Sequence, residues 1–171
     1  MKATDIQETE YHPYYNGYIQ SAGDVDLLEG LEDEMDTLTA FFASLPTEKL
    51  DYRYAEEKWT IPEILAHLID AERIFAYLAL RFARKDATPL AGFDENTYVP
   101  ESRANERSIE ALVAEFRAVR MATVTLFESF NREQLERSGL ANGAEMSVRA
   151  IGFVIIGHAA HHCAVIEERY V

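Results

Sequence analysis

The sequence predicts an all-α protein, a four-helix bundle with a long connection between its second and third helices. Two observations carry this. Four stretches repeat apolar residues at alternating three- and four-residue steps, and no convincing strand of alternating apolar and polar residues interrupts them. A third fixes the scale: 171 residues suit a single domain, 1–171, long enough to bury a core without covalent staples.

The first helix is expected after Asp24 as N-cap, with Leu28, Leu31, Met35, Leu38, Phe42 and Leu45 inward and Pro46 as its stop. The second opens at Thr60, whose hydroxyl caps while Glu63 reaches back and Pro62 sits in the tolerant first turn. Ile64, His67, Leu68, Ala71, Phe75, Leu78 and Phe82 share its inner face, and Arg84 and Lys85 suit its last turn. A third starts near Ser108 and turns Ile109, Leu112, Val113, Phe116, Val119, Thr123, Leu126, Phe127 and Phe130 inward, with Arg120 interrupting that stripe. The fourth, capped by Ser147, buries Val148, Ile151, Ile155, His158, His162, Val165 and Arg169.

The segments between carry their own signals. Residues 86–107 form a connection longer than most in helical bundles, and such loops are frequently functional; this one could cover one end of the bundle. The pair Asn142-Gly143 reads as a tight turn. The N-terminal arm, residues 1–22, groups Tyr11, Tyr14, Tyr15 and Tyr18, and is expected to pack on the bundle, where it could wall a pocket or make a dimer contact.

Composition narrows function. The formal net charge of −14 argues against nucleic acid and against an anionic membrane surface as partners. The polar, acidic start lacks a secretory pattern, and no apolar run is read as crossing a bilayer, so a cytoplasmic protein is expected. With Cys163 as the single cysteine, a metal must be held by His, Asp or Glu.

At about 100° per residue, His158 and His162 lie about 40° apart inside one apolar stripe and can grip one ion. His161 falls at the stripe's margin and is the reserve ligand. His67 faces inward from the second helix, which a bundle can bring alongside the fourth. A lone inward histidine is ordinarily a hydrogen-bonded core residue, but three buried imidazoles satisfy one another poorly and one shared metal serves all three. Three neutral histidines suit zinc or nickel first, then iron, manganese or copper, with a coordination position left open. Glu63 and Asp70, one turn either side of His67, could orient its ring, although solvated helix charges are the commoner role for such residues. Ala159 stands where a helical HExxH peptidase needs glutamate, and neither a phosphate-cradling glycine loop nor a GxSxG elbow is present. Cys163, about 100° from the histidine stripe, reads as a packing residue.

The stretches KWTIPEILAHLIDAERIF (58–75) and GHAAHHCAVIEERY (157–170) resemble the two signature helices of the DinB-like superfamily. Most specific are Trp59 and Thr60 opening a helix with an inward histidine, and a late histidine pair spaced four apart. The resemblance implies an up-down-down-up bundle, a divalent metal on His67, His158 and His162, and frequently a homodimer. Better understood relatives resemble metal-dependent transferases or isomerases that use low-molecular-weight thiols. The expected function is therefore a metal-dependent enzyme, a thiol S-transferase or a hydrolase acting on a small molecule, its catalytic residues unassigned. The alternative is a non-catalytic module stapled by the metal, and a third reading keeps the histidines as a metal-free polar network.

Overall fold

The computed structural model describes residues 1–171. Its elements are α1 (Asn16–Ser21), α2 (Leu27–Ser44), α3 (Ile61–Ala83), α4 (Glu95–Glu101), α5 (Ile109–Glu128), α6 (Arg132–Leu135), β1 (Ser138–Ala141), β2 (Ala144–Ser147) and α7 (Val148–Arg169), with short 3-10 turns between. The four expected helices are α2, α3, α5 and α7. Helix α2 packs on α5 and α7, and α3 packs on the same two, so the consecutive pairs α2/α3 and α5/α7 lie across the diagonals.

Direction follows from the core. Early α3 (Ile61, Leu65, Ile69) packs with Leu38 and Phe42 late in α2, Leu112 and Phe116 early in α5, and Ile166 late in α7. Its later turns (Phe75, Phe82) meet Leu27 and Leu31, Val124 and Phe127, and Val148 and Ile151. Helices α3 and α5 thus run one way and α2 and α7 the other: up-down-down-up. The apolar interior is divided into two clusters, and between them each bundle helix contributes a polar side chain: Glu34, Glu72, Arg120 and His158.

Local chemistry sets the helix starts. Thr60 Oγ1 accepts from the Glu63 amide at 3.3 Å while Glu63 Oε2 accepts from the Thr60 amide at 2.8 Å, completing the expected capping box. Ser147 caps α7 by accepting from the Ala150 amide at 3.1 Å. Helix α2 is capped by Asp26 rather than Asp24, because Asp26 accepts from the Leu28 amide and also meets the chain's terminal amino group, leaving Asp24 to Lys2. Two inward assignments are corrected. Arg120 does not merely interrupt its stripe, being fully buried, whereas Arg169 in the last turn of α7 is exposed. Helix α7 is, by length and composition, apolar enough to span a membrane, contrary to the sequence expectation; its apolar residues are spent on α1, α2 and α3.

Three additions flank the bundle along α3 and α7. The tight turn belongs to a hairpin, β1–β2, with Asn142 (φ 49°) and Gly143 (φ 77°) both left-handed, as a two-residue primed turn requires. Part of the long connection pairs with it, through Leu90 N–H to the Leu140 carbonyl and Asn142 N–H to the Leu90 carbonyl, both 2.9 Å. The rest of that connection forms α4. The N-terminal arm is fixed by Glu10, which accepts two bonds from Arg149 and one from Ser147. Its helix α1 lies on α7 at Gly157, where a Cβ would stand 1.7 Å from the Tyr18 carbonyl oxygen, so only glycine permits that approach.

Candidate metal centre

His67 from α3 and His158 and His162 from α7 converge. His158 Nε2 lies 3.0 Å from His67 Nε2 and 3.1 Å from His162 Nε2, and one ring nitrogen of each histidine lies within 4.8 Å of the other two. The i, i+4 spacing on α7 stacks two imidazoles on one face, and the antiparallel α3/α7 pairing brings the third across. Trp59 packs on the His67 ring at 4.8 Å and Tyr18 on the His158 ring at 5.1 Å, holding both from the sides.

Burial removes the rings from water and disfavours their charged forms. It pulls His67 down to about 4, partly offset by the Glu95 carboxylate, and His162 down to about 3, where the fields of His67 and His161 add to the effect. His158 is driven well below its ordinary value, first by burial and then by the neighbouring imidazoles. All three are therefore neutral at pH 7, the state in which imidazole offers a lone pair.

Protons alone serve this cluster badly. An imidazole nitrogen carries either one hydrogen or one in-plane lone pair, so His158 Nε2 cannot make full hydrogen bonds to both neighbours. One cation facing three lone pairs resolves the conflict. Ligand distances of about 2.0–2.1 Å place adjacent donor nitrogens about 2.9–3.4 Å apart for bond angles between about 90° and about 110°. The two separations about His158, 3.0 and 3.1 Å, match, and with the third edge held within 4.8 Å the donor set suits a divalent metal.

His161 is exposed and its ring turns toward Tyr18, 5.5 Å away, leaving it outside the converging set. Neither carboxylate suggested for His67 contacts it. Glu63 is occupied by the Thr60 cap, Arg53 and Asn105, and Asp70 by Arg73. Cys163 lies outside the pocket, and burial pushes its thiol up to about 12.

Above the histidines opens a pocket of about 530 Å³, within the range of small-molecule sites. Its walls come from the arm (Tyr14, Tyr15, Tyr18), from Trp59 and Phe75, and from the connection and hairpin (Phe93, Glu95, Asn142). Glu95 is its only carboxylate, and neither lysine nor arginine lines it. Sequence reading missed Glu95. Its signal, an Asp94-capped turn inside the long connection, is too local to reveal that it lines the same pocket as His67.

A sequence profile of the DinB superfamily matches residues 31–166. The chain belongs to the DinB superfamily. It is 26% identical over 134 residues to a Geobacillus thermodenitrificans protein named "Putative metal-dependent hydrolase", spanning 77% of this chain and 75% of that one. A Bacillus licheniformis protein of the same description is 25% identical over 128 residues, 73% of this chain and 72% of its own. Among solved structures, YfiT from Bacillus subtilis, described as "a probable metal-dependent hydrolase with an unusual four-helix bundle topology", superposes with a TM-score of 0.76 at 16% identity, covering 93% and 91% of the two chains. This DinB chain shares that fold.

The lowered histidine values make a pH prediction for metal-free protein. Unfolded histidine binds its proton near pH 6.5, the folded rings only near 3 to 4, so between these limits the unfolded state holds more protons and stability rises with pH. Stability is full above pH 6.5 and falls as pH drops toward 4, by about 1.4 kcal/mol per pH unit for each ring. Guanidinium titrations of chelator-treated protein check this, and a flat profile from pH 7 to 4.5 would contradict buried neutral rings.

Proposed function

We propose that this DinB protein is a metal-dependent hydrolase of uncharged, apolar acyl substrates, with a divalent ion on His67, His158 and His162. The observation that carries the reading is the pocket itself, which gives a small molecule access to the histidine nitrogens between aromatic walls and beside a single carboxylate. The relatives' names support hydrolysis. A bound ion supplies Lewis acidity, polarising a carbonyl and acidifying water.

The chain's own residues do the rest. Glu95 accepts the proton of the attacking water, a role open to a carboxylate beside the ligand set. Burial holds the phenols of Tyr15 and Tyr18 above their ordinary value, so they stay protonated and can donate hydrogen bonds to a substrate oxygen. Trp59, Phe75 and Phe93 exclude water and take up an apolar group. The walls carry no lysine or arginine, so a substrate or thiol cosubstrate bearing several carboxylates would find too few cations there to offset its lost water. That favours hydrolysis over thiol transfer, and the open pocket favours an enzyme over a merely stapled module.

Hydroxamic acids, which chelate open metal sites, test the reading without knowledge of the substrate. Zinc-loaded protein is expected to bind benzohydroxamic acid one to one, and its 4-carboxy analogue at least about tenfold more weakly, about 1.4 kcal/mol. Calorimetry reads both. Zinc-loaded protein that binds neither has no accessible coordination position, and the module reading replaces this one; equal binding of the two refutes only the substrate class.

A further inference from the structure

Three members of the polar layer that divides the core, Glu34, Glu72 and Arg120, have no part in the hydrolytic reading. Arg120 is fully buried, and Glu72 is only 4% exposed. Arg120 donates from Nε and Nη2 to the two oxygens of Glu72 at 2.8 and 2.9 Å, and from Nη1 to Glu34 at 3.0 Å and the Leu31 carbonyl at 3.3 Å. Each Glu72 oxygen keeps a second lone pair. Burying such a group seldom adds stability over apolar residues of the same volume, so its retention in a core asks for another purpose.

One end of this group meets a small cavity of about 10 Å³, lined by five apolar side chains and by two polar ones, Glu72 and His158. That volume suits one water, which needs at least two polar partners. The His158 ring lines both this cavity and the open pocket, and so stands between them. Its Nε2 is directed at His67 and His162, leaving Nδ1 on the other side of the ring with no protein hydrogen-bond partner.

We propose that Glu72 is a positioning residue for His158: the His158 Nδ1–H donates to one buried water, which donates in turn to the Glu72 carboxylate that Arg120 holds. The relay fixes the tautomer with the proton on Nδ1, so that the Nε2 lone pair faces the metal position, and it makes the ring a stronger donor. The inference rests on the metal reading above.

Zinc affinity, measured by chelator competition on the whole protein, separates the two. Glu72→Gln is expected to weaken zinc binding about 10–100-fold. Glu34→Gln also removes a partner of Arg120 but does not border the cavity, and should leave affinity within about threefold of the parent. Unchanged affinity in Glu72→Gln, or an equal loss in Glu34→Gln, overturns the relay. Should Glu72→Gln not fold, proton NMR of the zinc-loaded parent decides: the His158 Nδ1 proton should exchange more slowly than those of His67 and His162 and show a cross-peak to a long-lived water. Absence of that cross-peak overturns the relay, whereas a parent protein that takes up no zinc overturns the metal reading itself.

Discussion

Replacing His67, His158 or His162 with alanine is expected to lower divalent-metal affinity by at least about a hundredfold, more than loss of an outer-shell group costs, while His161→Ala keeps the parent's affinity. The contrast lies in geometry. Three Nε2 or ring nitrogens converge within 4.8 Å, and the ring of His161 packs toward Tyr18 instead. Elemental analysis of protein purified without a histidine tag reads the stoichiometry, with about one ion per chain expected for parent and His161→Ala. The stability of the metal-free variants sharpens the result. A satisfied polar network would lose about 1–3 kcal/mol for each imidazole deleted. A metal cluster emptied of its ion should instead hold or gain stability on losing His162, because the two neighbours competing for His158 Nε2 are reduced to one. Metal retained in His162→Ala and lost in His161→Ala would overturn the ligand set.

How far the sequence reached depended on whether a signal was periodic. The bundle helices were legible because each buries a stripe repeating over five or six turns, and because Thr60, Ser108 and Ser147 mark their starts. The i, i+4 histidines were legible for the same reason. The hairpin was not, since four residues on each side of Asn142-Gly143 are too few for alternation to show, although that dipeptide is itself a hairpin signal. Nor was the pocket wall. Glu95 and Phe93 join the histidines in lining the pocket, where the connection pairs with β1, a contact no local pattern encodes. The arm packs as expected and also walls the pocket, an arrangement that turns on one backbone approach at Gly157.

Arg120 shows a signal that was present and underread. It stands on a core-facing position of α5, and Glu34 and Glu72 stand at core spacings on α2 and α3, three after Leu31 and four after Leu68. A cation and two anions at matching depth on three helices describe a buried ion group. They also account for the division of the hydrophobic core into two clusters, which apolar periodicity alone would have left continuous.

Arg120→Met is accordingly expected to destabilise the protein by about 3–5 kcal/mol, because it leaves two buried carboxylates facing each other without their cation. For a chain of this size that is a fall of roughly 10 °C in Tm. Even with Arg120 in place, burial and the Glu72 charge hold Glu34 up at about 7 against the guanidinium's pull. Removing the guanidinium raises it further. A carboxyl raised above its unfolded value of about 4.5 favours the folded state while protonated, and that advantage disappears as pH rises through the raised value. The deficit of Arg120→Met relative to the parent should therefore be greatest above pH 7 and shrink toward pH 5, as guanidinium titrations of both proteins at each pH would show. A pH-independent deficit would mean that lost packing, not the unpaired carboxylates, is responsible. Combining Arg120→Met with Glu72→Leu and Glu34→Leu should restore most of the stability, since apolar residues replace the whole ion group. The same triple variant should still bind zinc poorly if Glu72 orients His158, so recovery of the fold without recovery of the metal would assign the polar layer to the site rather than to the scaffold.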